Sequence, residues 1–311
     1  MNALRWFFAS AVLLLFSCSE DSGTRSIRLS PDSGRSPDHL AGKSPASFLN
    51  RSPLHIAIAN VISPRASYRL YDGLFSYIAI RLGRPVERSQ RSTYAEVNDL
   101  IRYGDADVGF VCSVAYLQGQ RDFDMELLAA PVVKGKQTYH SYILVPSDSL
   151  ADEAWDLRDK VFAFTDPLSN SGRLAPLYLL HQRNERPETF FSRVVYTYSH
   201  DNSTRAVANK LVDGAAVDSL VFDAMTEKDP SLRGKLKIIW KSPPYGIPPV
   251  VVNPRLDADL KQHLRAIFFE MRDTTEGRRI LASLGIDRFA PIEDAAYDSI
   301  RLMLAEIGRQ P

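Results

Sequence analysis

The stretch FTDPLSNSGRLAP, residues 164–176, carries the decision about the fold. An apolar run over residues 161–165 delivers Asp166 and Pro167 to a polar turn. Ser169, Asn170, Ser171 and Gly172 then open a helix-like run that lasts to about His181. A strand that passes through a short polar turn straight into a helix is the repeating unit of an α/β fold. The turn itself has two readings. Ser, Asn and Asp are ordinary caps that satisfy the first amides of a helix. Those amides, with the partial positive charge at that helix end, also suit an anion. Gly172 would remove a side chain that blocks approach to the backbone, and Ser169 and Ser171 can both donate hydroxyl hydrogens. Together these groups fit a tetrahedral oxyanion without a full positive charge beside it. From the turn alone, capping and anion binding both stand.

Outward from the turn the same alternation continues in both directions. A short apolar strand spans residues 55–59, followed by a helix-like segment over 68–82 that Gly83-Arg84-Pro85 stops. An extended stretch begins at Val86, a helix is predicted over 94–103 ending at Gly104, a buried strand over 107–111 and a helix over 114–120. YHSYILV, residues 139–145, is a longer strand. The second series then predicts strands at 161–165, 194–198 and 237–240, helices at 172–181 and 204–212, and an apolar stretch at 215–221. Val250, Val251 and Val252 follow a Pro-rich bend, and residues 260–307 are helical with breaks at Gly285 and Pro291. Two α/β series joined by two extended crossings predict two lobes with a cleft between them. Small-ligand sites favour such places, where strand ends and helix N-termini converge. The expected architecture is α/β, with mainly parallel sheets, helices on both faces and the two crossings as hinge. Lobe one would comprise 54–140 and 245–311, and lobe two 146–240.

Composition narrows the function classes. The 311 residues are 45% hydrophobic with a formal net charge of +1, enough for real cores and with no basic face to suggest nucleic acid. Arg5 precedes an apolar run over residues 6–16, then Ser17 and Cys18. The run is too short to span a membrane and reads as a signal peptide over 1–18. Its end, Leu15-Phe16-Ser17-Cys18, resembles a bacterial lipobox, which implies a lipid tether on Cys18, although Phe16 departs from the usual small residue. Residues 19–53 read as a flexible Ser-, Gly- and Pro-rich spacer. Cys112 is the only other cysteine, so a lipidated Cys18 leaves no disulfide, and Cys112 reads as a small buried thiol.

The segment DPLSNSGRLAPLYLL resembles the periplasmic phosphonate-, phosphite- and phosphate-binding proteins of ABC transporters, whose D-P-x-S-x-S-G-x-x-x-P turn binds the ligand's oxygens. LGRPVE, GDADVGF, YHSYILVPSDS, SHDNSTRAVANKLVDGAAVDS and KIIWKSPPYGIPPVVV match further pieces in order, so the resemblance covers roughly residues 54–286. It implies the two-lobe periplasmic-binding-protein fold and no cofactor. It assigns Ser169, Asn170 and Ser171 to the oxyanion, Gly172 to its approach, and His200 to a further hydrogen bond. Ser113 and Tyr139 would face the ligand from lobe one. His140 would add a donor or simply line the wall, and Tyr68 or Tyr71 would close the cleft. Pro248 stands where aminophosphonate binders tend to carry an acid, with Asp218 and Asp223 remaining in lobe two. That favours a ligand without an amine: phosphate, phosphite or a small alkylphosphonate. The expected partners are an ABC permease, or alternatively a membrane sensor kinase, for a monomer in the periplasm or at the cell surface.

Two other readings compete. Ser171, His200 and Asp218 are the residue types of a hydrolase triad, but LSNSGR lacks the Gly-x-Ser-x-Gly spacing of a nucleophile elbow. Histidines 39, 55, 140, 181, 200 and 263 show no paired spacing for a metal.

Overall fold

Apolar runs and their stop signals build the first lobe. β1 (Leu54–Ala59) has Leu54, Ile56, Ala57 and Ile58 buried, as a strand covered on both faces requires. α1 (Pro64–Leu82) starts with proline and stops at Gly83, whose left-handed backbone (φ 65°) turns its amide onto the carbonyls of Ala79 and Ile80. β2 (Val86–Arg91) follows. α2 (Tyr94–Tyr103) is opened by a capping box in which the Thr93 and Glu96 side chains each accept the other's backbone amide. β3 (Val108–Phe110), α3 (Ser113–Phe123) and β4 (Glu126–Val132) complete the series.

β5 (Thr138–Tyr139) and β6 (Ser141–Pro146) cross to the second lobe. There β7 (Val161–Phe164) leads through a π turn (Asn170–Leu174) to α4 (Ala175–His181) and α5 (Pro187–Phe190). β8 (Arg193–Tyr196), α6 (His200–Ala208), β9 (Gly214–Asp218), α7 (Ser219–Lys228) and α8 (Pro230–Gly234) follow. β10 (Leu236–Lys241) and β11 (Tyr245–Gly246) return to β12 (Val250–Val252), α9 (Ala258–Glu270), α10 (Thr275–Leu284), β13 (Arg288–Ala290) and α11 (Asp298–Ile307).

The computed structural model describes residues 52–308, except the side chains of residues 65 and 66. All of them lie in one compact unit, residues 43–311. The predicted signal peptide, Cys18 and nearly all of the spacer 19–53 lie outside the described residues.

Lobe one is a six-stranded sheet ordered β13-β4-β12-β3-β1-β2, and lobe two a five-stranded sheet ordered β10-β6-β9-β7-β8. The expectation of mainly parallel sheets is corrected. β1 pairs in parallel with β2 and β3, and β7 with β8 and β9, but every other pairing is antiparallel. Apart from β13, which follows α10 and pairs with β4, the antiparallel members are the strands that carry the chain out of and back into each lobe. The two crossings lie side by side, β5 against β11 and β6 against β10. At the carboxyl ends of the parallel strands, α1, α2 and α3 begin on one side and the π turn, α6 and α7 on the other. This is where α/β sheets gather their ligand sites.

Candidate ligand site

β7 ends at Phe164 and the chain folds into a tight turn around Thr165. The Thr165 amide donates to the Gly172 carbonyl (3.2 Å). The Gly172 amide donates to Ser169 Oγ (3.0 Å), and the Leu168 amide to Asp166 Oδ1 (2.7 Å). Ser169 and Asp166 are therefore caps, as one reading of the turn expected. Gly172 has a different reason from the expected one. A Cβ there would stand 1.8 Å from Thr165 Oγ1, so the glycine admits Thr165 rather than a ligand.

Ser171 does not fit the capping account. Its side chain is 1% exposed, yet Oγ has no hydrogen-bond partner. Six buried side-chain polar atoms lack partners among the described residues; Thr165 Oγ1, Asn170 Oδ1 and Ser171 Oγ belong to this turn, and Ser199 Oγ precedes His200. Each such atom costs about 1–3 kcal/mol unless something arrives to satisfy it. The Ser171 amide is likewise left over, because Asn170's donates to Cys112 Sγ (3.2 Å) and Gly172's is spent on Ser169. Ser141 on β6 holds the Ser171 carbonyl at 2.6 Å and so fixes the residue's direction.

The first lobe closes over this turn. Tyr139 OH accepts from Asn170 Nδ2 (3.0 Å), and Ser113 sits beside that phenol. Ser113's own hydroxyl proton goes to the Gly246 carbonyl (2.8 Å), so it braces the return crossing. The Tyr94 amide, first in α2, donates to Asp166 Oδ2 (3.2 Å). Burial raises the Tyr94 and Tyr139 phenols well above their ordinary value and pushes the Cys112 thiol up to about 11, so all three stay protonated near neutrality. Burial also holds Asp166 above the usual carboxylate range, against the two amides that lower it.

His200 opens α6, with its amide on the Val61 carbonyl (3.0 Å). Its Nδ1 accepts the Asp218 amide (3.0 Å), and burial lowers its pKa to about 4. The ring is neutral with its proton on Nε2, a donor without charge. The hydrolase triad does not assemble, because His200 meets Asp218's amide and not its carboxylate. That carboxylate caps α7 through Oδ1, accepting from Leu220 (2.7 Å) and Val221 (3.4 Å), while burial pushes it up to about 7. No ion pair among the described residues involves any of these side chains. No cluster of metal-ligating groups occurs among them either.

The structure thus brings together Ser169, Asn170, Ser171, Gly172, His200, Tyr139 and Ser113. His140 stands at the hinge, with Nδ1 bonded to the Ser242 carbonyl (2.8 Å) and its amide to Ser219 Oγ (3.0 Å). Tyr68 is 51% exposed beneath the Arg88 guanidinium, and Tyr71 packs on Phe75 and Phe110, so neither joins the group. Sequence reasoning missed Tyr94, Thr165 and Asp166 as members. Tyr94 had a usable signal: it begins the helix after β2, at the end of the sheet where ligands gather.

The family model for the phosphonate periplasmic substrate-binding protein of ABC transporters matches residues 56–297. The chain belongs to this family. It is a family of substrate-binding proteins, not of enzymes. The phosphonates-binding periplasmic protein of Escherichia coli is 28% identical over 226 residues, covering 71% of this chain and 67% of that one. The phosphate-import protein PhnD of Mycolicibacterium smegmatis is 30% identical over 257 residues, 74% of this chain and 78% of that one. Among solved structures, a binding component of a phosphonate ABC transporter from Pseudomonas aeruginosa superposes with a TM-score of 0.77 at 25% identity, covering 83% and 87% of the two chains. PhnD1 of Prochlorococcus marinus with methylphosphonate gives 0.75 at 17%, covering 83% and 98%, which speaks for the fold. Among the described residues, no helix is long and apolar enough to cross a membrane.

Proposed function

We propose that this periplasmic binding protein captures a small phosphorus oxyanion (phosphate, phosphite or a phosphonate) between its lobes and delivers it to an ABC permease. The observation that carries the reading is the buried Ser171, whose hydroxyl and amide are both left without acceptors beside the Ser169 cap, in a turn where Thr165 Oγ1 and Asn170 Oδ1 are also unpartnered. Neutral donors of this kind suit a multiply charged oxyanion, because they stabilise it without competing ion pairs. The ligands for which the relatives are named point the same way: phosphonates, phosphate and, for the Prochlorococcus structure, methylphosphonate. The sensing alternative has no observation behind it.

The test is calorimetry on protein freed of carried-over ligand, with phosphate, phosphite, methylphosphonate and 2-aminoethylphosphonate. One of them should bind, and Ser171→Ala should weaken it about tenfold or more, the loss of a hydrogen bond to a charged group. If no such ion binds, or the variant binds equally well, the reading fails. We further propose that the monomeric chain is tethered through a lipid on Cys18, as the lipobox-like LFSC suggests. The cell-made protein should then enter a detergent phase, and Cys18→Ser should stay in the aqueous one; equal partition would remove the tether.

A further inference from the structure

The last helix of the described chain, α11, touches both lobes. A short helical turn, Asp294–Tyr297, roots it in lobe one. Asp294 Oδ1 accepts from Tyr116 (2.6 Å) and Gln120 (3.0 Å) of α3 and from Arg301 of α11 (2.5 Å). Tyr297 is fully buried, with its ring 5.0 Å from that of Tyr116 and its hydroxyl on the Ile247 carbonyl (3.0 Å). The root also presses on the return crossing, where a Cβ at Gly246 would stand 2.6 Å from the Ala296 carbonyl oxygen. At its far end the helix leaves lobe one. It packs on α4 and on the π turn of lobe two, and Met303 and Ile307 share an apolar cluster with Leu174 and Ala175. Leu174 closes the same turn that carries Ser171. Glu306 Oε2 accepts from Tyr178 OH of α4 (2.8 Å).

The two grips are unequal. The root holds a ring contact, a buried phenol and a carboxylate shared by α3 and α11. The tip holds a small apolar patch and one hydrogen bond open to solvent. When the lobes part, the tip therefore comes away from α4 and the root stays with lobe one. We propose that α11 is a strap that closes onto α4 behind the ligand turn each time the lobes meet, and so delays release of a ligand it never touches. Among the described residues no hydrogen bond joins α11 to Ser171, Asn170, His200 or Tyr139. Its action passes through α4, which follows the turn, and through Tyr245 of the crossing β11, whose hydroxyl donates to Met303 Sδ (3.5 Å). Tyr178, Glu306 and Met303 are thus positioning residues. The tip contact is absent in the open form that admits the ligand. Its loss therefore falls on the rate of release and leaves the rate of entry alone. The strap works in the same way for whatever anion the cleft takes.

The experiment pairs stopped-flow displacement with X-ray scattering, on the full chain and its variants, with phosphate and methylphosphonate as probes. Tyr178→Phe removes the donor and keeps the ring. It should release the bound probe about fivefold faster at an unchanged rate of association. Glu306→Gln keeps an acceptor for the phenol and should stay within about twofold of the unmodified chain. A chain ended at Leu302 loses the whole tip, the buried Met303 included, and should release about tenfold faster or more. Its ligand-free radius of gyration should exceed that of the unmodified chain, and saturation with a probe should restore it. Equal release from Tyr178→Phe and the unmodified chain overturns the proposal. So does a slower association with release unchanged, which would mean that α11 only keeps the ligand turn in shape. If the shortened chain does not fold, Tyr178→Phe and its contrast with Glu306→Gln decide. If neither probe binds, the oxyanion reading fails by itself. Ligand-free scattering of Tyr178→Phe and the shortened chain then decides the strap, and an unchanged radius in both overturns it.

Discussion

His200 and Asp218 are one hydrogen bond apart, and burial drives their titrations in opposite senses. Folded His200 titrates near 4 against an ordinary 6.5, so between those values the unfolded chain holds a proton that the folded chain lacks. Stability from this group therefore rises with pH and is lost as pH falls through that window. Folded Asp218 titrates near 7 against an ordinary 3.8, so between those values the folded chain holds the extra proton, and stability falls as pH rises. Over their overlap, the two contributions oppose each other at up to about 1.4 kcal/mol per pH unit apiece. We predict that His200→Gln, which removes the rising half, loses stability relative to the unmodified protein as pH climbs from about 4 to about 6.5. Asp218→Asn should gain over the same climb. Urea midpoints measure both, and parallel pH curves for the unmodified chain and His200→Gln would contradict the burial argument.

At the scale of elements, the sequence was most legible where stop signals are local. The predicted 94–103 helix coincides with α2, because its capping box and Gly104 act within one turn of chain. The helix predicted over 204–212 instead runs His200–Ala208, since polar side chains at 200–203 hide a helix start whose first amide the distant Val61 carbonyl accepts. The apolar stretch 215–221 split into β9 and α7 because Asp218 caps the helix within it, a role that periodicity does not encode. β4 and β13 went unread, being strands whose pairing partners are distant in sequence. The site divides in the same way. Ser169 as cap and Ser171 as donor looked alike in SNSG and separate only when the Gly172 amide chooses Ser169. The C-terminal helix beyond Pro291 had no legible destination. α11 buries Ile300 and Met303 in the cluster that holds Tyr116 and Tyr245, and its Glu306 accepts from Tyr178 of α4 in the other lobe (2.8 Å).

For the molecule as a whole, the described residues form the closed arrangement, and what holds it closed is not confined to the ligand donors. Besides the Asp166 carboxylate on α2, Asp201 Oδ1 of lobe two accepts the Ser63 amide at the head of α1 (2.8 Å). Two carboxylates thus sit on the positive ends of first-lobe helices from across the cleft. Closure buries the site almost completely, so a ligand enters only when the lobes part and is retained only when they meet again. The free energy of closure therefore enters the measured affinity directly. Asp201 touches none of the unpartnered donors, which makes it the right place to separate closure from recognition. Asp201→Ala should raise the closed form by about 1 kcal/mol, as loss of a helix cap does, and weaken ligand binding about fivefold. The ligand-free chain should scatter X-rays with a larger radius of gyration, while the saturated chain should match the unmodified protein. If affinity falls with no change in the ligand-free scattering, Asp201 acts on the site through the neighbouring His200. If neither moves, the Ser63 contact contributes nothing to closure, and the ligand donors alone draw the lobes together.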